Sequence, residues 1–145
     1  MGIAEDFAVD SKVGFEAEER VLALVKDNYP KAHRVTGYKK EYDIYIPELD
    51  NSIEVKYDAR SKDTGNIFIE MKCNNKPSGL NVTTATWWII DTGIEYIIIR
   101  PEKLWQIIES HKPKLWTGLI KEQEMEGHLI REGLIIDYSD GIKHY

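Results

Sequence analysis

The run Tyr42-Asp43-Ile44-Tyr45-Ile46 is followed, after the turn-rich link Pro47-Glu48-Leu49-Asp50-Asn51-Ser52, by Ile53-Glu54-Val55-Lys56-Tyr57. Successive side chains of a β-strand point to opposite faces, so Glu54 and Lys56 share one face of the second run. The link is short and rich in turn formers, and it predicts a hairpin that brings Asp43 beside Glu54. Two carboxylates and one ammonium therefore meet on neighbouring strands, which indicates a site rather than a core.

Length and composition are those of a globular protein. We interpret residues 1–145 as a single domain with a hydrophobic fraction of 42%. No apolar run approaches the roughly 18 residues of a membrane span. Cys73 is the only cysteine, which excludes an intrachain disulfide, and the N-terminus lacks the basic and apolar regions of a signal peptide. We therefore expect a cytoplasmic location, in the host cytoplasm if the source is viral, and no membrane partner.

The charges are distributed unevenly along the chain. The net charge of −6 opposes binding to a polyanion, unless the cations are clustered. Two acid-free segments, residues 31–40 and 71–90, flank the two strands in sequence. They contain cations and hydroxyls that suit phosphate oxygens, namely Lys31, Arg34, Lys39, Lys40, Lys76, Ser78, Thr83 and Thr84. These side chains are candidate nucleic-acid contacts, and ordinary solvated loops are the alternative.

Periodicity predicts the remaining elements. Apolar residues at helical spacing predict a helix over residues 14–27. Three strands, at residues 42–46, 53–57 and 67–72, are expected to form an antiparallel meander. A short helical element is expected within residues 81–88, with Thr83 as its N-cap, then a buried strand at 96–99 and a helix that Pro101 opens. Residues 114–145 suggest an added strand pair or a dimer surface.

The spaced acid and E-x-K, together with this order of elements, resemble the PD-(D/E)XK nuclease superfamily. The resemblance implies a restriction-endonuclease-like α/β core, α-β-β-β-α-β, with a mixed central sheet flanked by helices over residues 14–100. Residues 101–145 would add a C-terminal helix and extra strands. It also implies a metal-dependent DNA endonuclease that hydrolyses phosphodiesters with Mg²⁺, for which Mn²⁺ can substitute. Asp43, Glu54 and the carbonyl of Val55 would bind the metal, and Lys56 would act on the attacking water.

Glu18 lies on the apolar stripe of the first predicted helix, where a carboxylate is costly unless it is paired or metal-bound. Gly14-Phe15-Glu16-Ala17-Glu18-Glu19-Arg20 is similar to a helix of the archaeal Holliday-junction resolvases, in which a glutamate reaches the metal. Glu19 or Glu16 is the alternative in a shifted register. This likeness implies a small resolvase-like homodimer, of phage or archaeal type, that cuts branched or nicked duplex DNA in recombination or repair.

A second E-x-K motif follows on the next predicted strand, at Glu70 and Lys72. It is either an alternative to the first motif or a pair that borders the site. The segment of residues 76–85 resembles small phage-type members, in which it would place donors near the scissile phosphate. A different class of function is also open, a non-catalytic nucleic-acid-binding or assembly module that retains the nuclease fold.

Overall fold

The computed structural model describes residues 3–37 and 40–145, with side chains from residue 12 onward. Within these residues it has a mixed α/β fold. The helices are α1 (Ile3–Lys26), α2 (Ser61–Thr64), α3 (Pro101–His111) and α4 (Glu132–Tyr138). The strands are β1 (His33–Arg34), β2 (Ile44–Ile46), β3 (Asn51–Tyr57), β4 (Asn66–Cys73), β5 (Lys76–Pro77), β6 (Trp87–Asp91), β7 (Glu95–Ile99), β8 (Lys114–Ile120), β9 (Gln123–Arg131) and β10 (Gly141–His144).

The larger sheet has the order β1-β2-β3-β6-β7-β10. Strands β3 and β6 are parallel, and all other neighbours are antiparallel, so the sheet is mixed. The predicted hairpin between β2 and β3 is confirmed, with Ile44 opposite Ile53. This register places Asp43, directly before β2, on the flank of Glu54.

The two faces of this sheet bury different apolar clusters. Val21 of α1 packs with Ile44, Ile53 and Ile89 on one face. The other face carries Trp88 and Ile90, and it packs against the smaller sheet and against α3 and α4. Glu54 and Lys56 lie opposite Trp88 and Ile90 in the β3–β6 register, so they share this second face. The polar pair therefore lies between the two sheets, on the side away from α1.

Helix α1 is tied to the far end of β6 by a buried carboxylate. Arg20 Nη2 donates a hydrogen bond of 2.8 Å to Oδ2 of Asp91, which is fully buried. The main-chain N–H of Gly93 donates to Oδ1 of the same residue at 2.8 Å, and the Tyr145 hydroxyl also bonds it. Because Arg20 lies two residues after Glu18, this ion pair also fixes the part of α1 that carries Glu18.

The predicted three-stranded meander is wrong. Strand β4 does not continue the sheet from β3 but pairs with β9 in a smaller sheet of order β5-β4-β9-β8. The chain leaves β3 through α2 and crosses the face of the larger sheet as β4 before it returns as β6, parallel to β3. In the described chain, this face is therefore covered by a second sheet as well as by α3 and α4, and the second sheet was not predicted.

The predicted helix within residues 81–88 is also wrong. A single 3-10 turn, Gly79–Asn81, is followed by extended chain that enters β6 at Trp87. Thr83 caps a turn instead of a helix, since its Oγ1 accepts a hydrogen bond of 3.3 Å from the N–H of Ala85. The β-branched residues of this segment explain the outcome, because they disfavour a helix and favour extended structure.

The remaining elements agree with the sequence. Helix α1 covers the predicted helix up to Lys26, one residue short of its predicted end, and begins earlier, at Ile3. The strand β7 and the helix α3, which Pro101 opens, are confirmed. The C-terminal stretch supplies β8, β9 and β10, together with α4. No helix in the described part of the chain combines the length and the apolar character that crossing a membrane requires.

Candidate active site

Asp43 is held against the E-x-K strand by the main chain. The N–H of Val55, between Glu54 and Lys56, donates a hydrogen bond of 2.8 Å to Asp43 Oδ2. The N–H of Asp43 in turn donates to the carbonyl of Ile53 at 2.9 Å. The Asp43 side chain is only 10% exposed. Two strands therefore fix the position of this carboxylate relative to Glu54 and Lys56.

Glu54 and Lys56 project from the same face of β3 and contact each other. Lys56 Nζ lies 3.4 Å from Glu54 Oε2 and 5.3 Å from the centroid of the Trp88 ring. An ammonium over an indole face is stabilised by the ring quadrupole. Trp88 is buried, as expected for a core residue, and its indole therefore gives Lys56 a rigid support.

Lys40 joins Asp43 to helix α1. Its Nζ lies 2.7 Å from Asp43 Oδ1 and 3.0 Å from Glu18 Oε1. Burial alone would lower the pKa of Lys40, but hydrogen bonds to Asp43 and Glu18 outweigh it and the pKa is raised. One ammonium is thus shared by two carboxylates from two different elements.

Of the three candidate glutamates Glu16, Glu18 and Glu19, Glu18 is the one that approaches the site. Its side chain is 14% exposed and also accepts a hydrogen bond of 3.3 Å from Arg34 Nη2. Glu16 instead pairs with Lys12 on the exposed side of α1 at 4.0 Å. Glu19 is half exposed and lies 3.5 Å from Arg34 Nη1. The sequence left three possible helix registers open. In the structure, Glu18 is the glutamate that points toward Asp43, and the ammonium of Lys40 lies between the two carboxylates.

A cavity of about 340 Å³ opens beside Glu54 and Lys56. Its opposite wall is the segment between β5 and β6, which contributes Val82, Thr83 and Thr84. Lys40 also lines this cavity. The cavity therefore has carboxylates and ammonium groups on one side and threonine hydroxyls on the other.

A bulge in β4 positions that wall. The register of β4 against β9 shifts between Glu70 and Lys72. The carbonyl of Met71, within the bulge, accepts hydrogen bonds from Ser78 N at 2.9 Å and from Asn81 Nδ2 at 2.8 Å. The turn packs so closely that a Cβ on Gly79 would lie 2.1 Å from the Glu70 carbonyl, and Gly79 has a φ of +55°. Glycine is required at this position for both reasons.

Thr83 is fixed by the same tryptophan that supports Lys56. Trp88 Nε1 donates a hydrogen bond of 3.0 Å to Thr83 Oγ1. The following residues are tied to the start of β3, because Thr86 N donates to Ser52 Oγ at 3.1 Å and Ser52 N donates to Thr86 Oγ1 at 3.0 Å. Thr84 reaches Glu41 Oε2 at 3.5 Å. The segment that forms this wall of the cavity is thus held by hydrogen bonds at Thr83 and at Thr86.

The two charged residues of the second E-x-K motif, Glu70 and Lys72, line different cavities. Glu70 lines a cavity of about 550 Å³ that Lys56 also lines, so it borders the candidate site. Lys72 lines a different cavity, of about 430 Å³, and lies 3.8 Å from Glu126 Oε2. The structure therefore places Glu70 near Lys56 and separates Lys72 from it. The acid beside Lys72 is Glu126 on the neighbouring strand β9, so Lys72 has an acidic partner of its own and does not share the one that lies beside Glu54.

The candidate nucleic-acid residues differ in their surroundings. Arg34 is paired with Glu18 and Glu19 and stacks over Phe15, 4.1 Å from the ring centroid. Lys31 and Lys76 are exposed, whereas Lys40 is bound by carboxylates. The hydroxyl oxygen of Ser78 is buried without a hydrogen-bond partner in the described structure, and Lys39 lies outside the described residues.

Glu54 has an unusual pKa for a carboxyl group. Burial raises the pKa of Glu54 to about 7, the ammonium of Lys56 lowers it in part, and the negative charge of Asp43 raises it further. The neighbouring cations therefore do not fully balance the negative charge of an ionised Glu54. A divalent cation would supply the missing positive charge.

The donors have the chemistry of a hard-metal site, but three of them are not gathered around one point. Among residues 3–37 and 40–145, no three His, Cys, Asp or Glu side chains are arranged as a metal-binding group. Asp43 and Glu18 converge on the ammonium of Lys40, so these two carboxylates approach a single cation. Glu54 neighbours Asp43 in the β2–β3 register but contacts Lys56. Because carboxylate oxygens are the ligands that Mg²⁺ prefers, Asp43 with either Glu18 or Glu54 could hold such an ion, with Lys40 competing for the oxygens of Asp43 and Glu18.

Sequence reasoning missed two contributors to the site. Lys40 was expected to contact nucleic acid, but in the structure it binds Asp43 and Glu18. Trp88 was not among the predicted site residues, but in the structure it contacts both Lys56 and Thr83. Alternation along β6 indicates only that Trp87 and Trp88 lie on opposite faces, and the register of β6 against β3 places Trp88 on the face of the E-x-K motif. No local pattern indicated the partners of Lys40.

Comparisons of the chain with protein-family models, with curated proteins and with solved structures found no match.

Proposed function

We propose that this protein is a metal-dependent nuclease that hydrolyses phosphodiester bonds in DNA at a site formed by Asp43, Glu54 and Lys56. The observation that carries the proposal is the hydrogen bond from Val55 N to Asp43 Oδ2, at 2.8 Å. It joins the isolated acid to the centre of the E-x-K motif, so the three side chains form one unit beside a cavity. The spacing of Asp43, Glu54 and Lys56 in the sequence could have arisen by chance. The contact brings Asp43 next to the strand that carries Glu54 and Lys56, which the spacing alone does not require.

Asp43 and Glu54 are the residues that would hold the metal, with the carbonyl of Val55 as the family resemblance implies and with Glu18 as a further carboxylate. When bound, Mg²⁺ would neutralise phosphoryl oxygens and lower the pKa of a bound water. Lys40 would have to leave the Asp43 and Glu18 oxygens for those oxygens to serve as ligands. Its side chain is about one-third exposed, which gives it room to turn away.

Lys56 is the proposed catalytic lysine. Its contacts with Glu54 and with the Trp88 ring hold its side chain against the cavity that it lines. From there it would orient the attacking water, accept a proton from it, or stabilise the charge that develops on the phosphate. All three roles require the same placement, and all three are lost when the amine is removed.

Thr83 and Thr84 are the proposed phosphate contacts on the opposite wall. Hydroxyl groups fix the register of a nucleic-acid backbone without reading its sequence. Lys31 and Lys76 are exposed and available to more distant phosphates. We propose that the enzyme selects branched or nicked duplexes by shape, as the resolvase-like resemblance implies.

A cleavage panel tests this function. Labelled linear duplex, single-stranded, flap and four-way-junction DNA are incubated with the protein and Mg²⁺ or Mn²⁺, beside an EDTA control. We expect metal-dependent cutting with a preference for the branched substrates. Binding without cutting in either metal would contradict the nuclease and would favour the alternative, a non-catalytic nucleic-acid-binding or assembly module with the same fold.

A further inference from the structure

Strand β8 forms one edge of the smaller sheet, and in the described part of the chain it pairs only with β9. Natural edge strands usually carry charges, proline or bulges that prevent pairing with another chain. The sequence of β8, Lys-Leu-Trp-Thr-Gly-Leu-Ile, has one charge, at its first residue, and its register against β9 is unbroken. Leu115 is 49% exposed and Leu119 is 69% exposed. This strand is therefore an unprotected apolar edge.

The turn that joins β8 to β9 shows which main-chain groups point outward. Lys121 and Glu122 form a two-residue turn with φ values of 51° and 65°, as in a type I′ hairpin. In such a hairpin the flanking residues, Ile120 and Gln123, exchange both hydrogen bonds, and hydrogen-bonded pairs then alternate along the ladder. The N–H and C=O groups of Leu115, Thr117 and Leu119 are therefore directed away from β9.

We infer that this edge binds the same edge of a second copy of the chain, antiparallel, with the two-fold axis at Thr117. In that register Thr117 lies opposite Thr117 of the second copy, and Leu115 lies opposite its Leu119. All of these residues direct their main-chain groups outward, so the ladder closes without leaving unpaired groups between them. The two exposed leucines also cover each other, which removes apolar surface from water.

The other face of β8 leaves room for this approach. Trp116 lies opposite Gly118 of the second copy in the same register. Within one chain, the Trp116 ring already covers Gly118, since a Cβ there would lie 2.7 Å from the ring carbons. The ring also packs edge-on against Phe68, with centroids 5.6 Å apart. No bulky side chain of this face therefore has to move for two strands to pair.

The conformation of the flanking residues limits the interface to β8 itself. Lys112 and Glu122 leave the extended conformation, with φ values of 44° and 65°, so the ladder is confined to Lys114–Ile120. Within it, a second copy pairs the outward main-chain groups from Leu115 to Leu119 and covers both exposed leucines. A second copy of this chain is therefore the occupant that satisfies the main chain and the leucines together, and the inference does not depend on the nuclease activity.

The oligomeric state of the full chain tests this interface. Thr117→Pro removes an outward N–H at the two-fold axis and leaves the β8–β9 bonds intact, because proline is tolerated where an edge strand faces solvent. Thr117→Val keeps that N–H and is the matched control. By sedimentation equilibrium we expect a wild-type dimer, an unchanged dimer for Thr117→Val and a dissociation constant raised at least about tenfold for Thr117→Pro. A monomeric wild type, or a dimer insensitive to Thr117→Pro, would overturn the inference.

A cross-linking experiment tests the register even if the proline variant folds poorly. In a Cys73→Ser background, Thr117→Cys places two thiols opposite each other across the axis, about 5 Å apart. Leu115→Cys places its two thiols at least about 13 Å apart, since they are offset by four residues along the strands. A short bismaleimide, which adds one thiol at each end, should join the Thr117→Cys pair and not the Leu115→Cys pair. Equal yields for both variants, or none for Thr117→Cys, would rule out this register.

Discussion

The main-chain N–H of Val55 donates a 2.8 Å hydrogen bond to the Oδ2 of Asp43. This contact spans the hairpin between β2 and β3 and ends at the residue between Glu54 and Lys56. One oxygen of Asp43 is thus used to fix the carboxylate, and the other, Oδ1, faces the ammonium of Lys40 at 2.7 Å. The cation-binding oxygen of Asp43 is therefore positioned before any substrate arrives.

Asp43→Asn should abolish cleavage and preserve substrate binding. The amide can occupy the same position, but it is a neutral and weaker metal ligand. We expect the cleavage rate to fall by about two orders of magnitude or more. Single-turnover cleavage measures this rate, and gel-shift titration in Ca²⁺ measures binding to the same junction. Cleavage at the wild-type rate would remove Asp43 from the site.

Lys40→Met should strengthen metal binding and weaken the protein without metal. The substitution removes the ammonium that competes for the Asp43 and Glu18 oxygens, and it leaves those carboxylates facing each other. Each of the two ion pairs that Lys40 forms is worth roughly 1 kcal/mol, so we expect Mn²⁺ affinity to rise several-fold. Isothermal titration calorimetry measures the affinity, and thermal melting in EDTA measures the stability. Lys31→Met, an exposed lysine of the same segment, is the control, and equal Mn²⁺ affinity in both variants would contradict competition by Lys40.

Glu54→Gln should stabilise the metal-depleted protein at high pH. The folded-state pKa of about 7 lies above the ordinary 4.5, so the folded protein holds a proton that the unfolded chain has released. Wild-type stability is therefore lost as pH rises through this window, whereas glutamine does not titrate. Between about pH 5 and about pH 8, urea unfolding in EDTA should show the variant gaining about 1–3 kcal/mol relative to the wild type. A difference that stays constant with pH would show that Glu54 is not buried in the folded protein.

Arg20→Ala should destabilise the fold, because it leaves the buried Asp91 carboxylate without its cation. Asp91 retains its bonds from Gly93 and Tyr145, so we expect a loss of about 1–3 kcal/mol in urea unfolding. Lys12→Ala breaks only the exposed contact with Glu16 and should change the free energy of unfolding by less than about 0.5 kcal/mol. Equal effects of the two substitutions would show that the Arg20–Asp91 pair does not anchor α1.

Local patterns predicted the elements that depend on local interactions. The turn formers between Ile46 and Ile53 predicted the hairpin, and alternation predicted that Glu54 and Lys56 share a face. The apolar run before Pro101 predicted β7, and Pro101 itself predicted the start of the helix that follows. In each case the deciding residues are neighbours in sequence, so a periodicity argument contains the necessary information.

Long-range partners were not predictable in the same way. Strand β4 pairs with β9, far along the chain, and no local pattern distinguishes this partner from the nearer β3. The same limit applies to the site, where Lys40 resembled a phosphate-binding lysine because its partner Glu18 lies 22 positions away. The segment before Trp87 was predicted to be a short helix with Thr83 as its N-cap, but its β-branched residues favour the extended chain found in the structure.

The most direct test of the proposed nuclease site compares Lys56→Ala with Lys72→Ala. Both variants remove the lysine of an E-x-K motif, but only Lys56 lies beside Glu54 and the Asp43-anchored strand. Single-turnover cleavage of a labelled four-way junction in Mg²⁺ should be lost in Lys56→Ala and should continue near the wild-type rate in Lys72→Ala. Cleavage that survives in Lys56→Ala and is lost in Lys72→Ala would contradict the proposed site and would transfer the chemistry to the second motif.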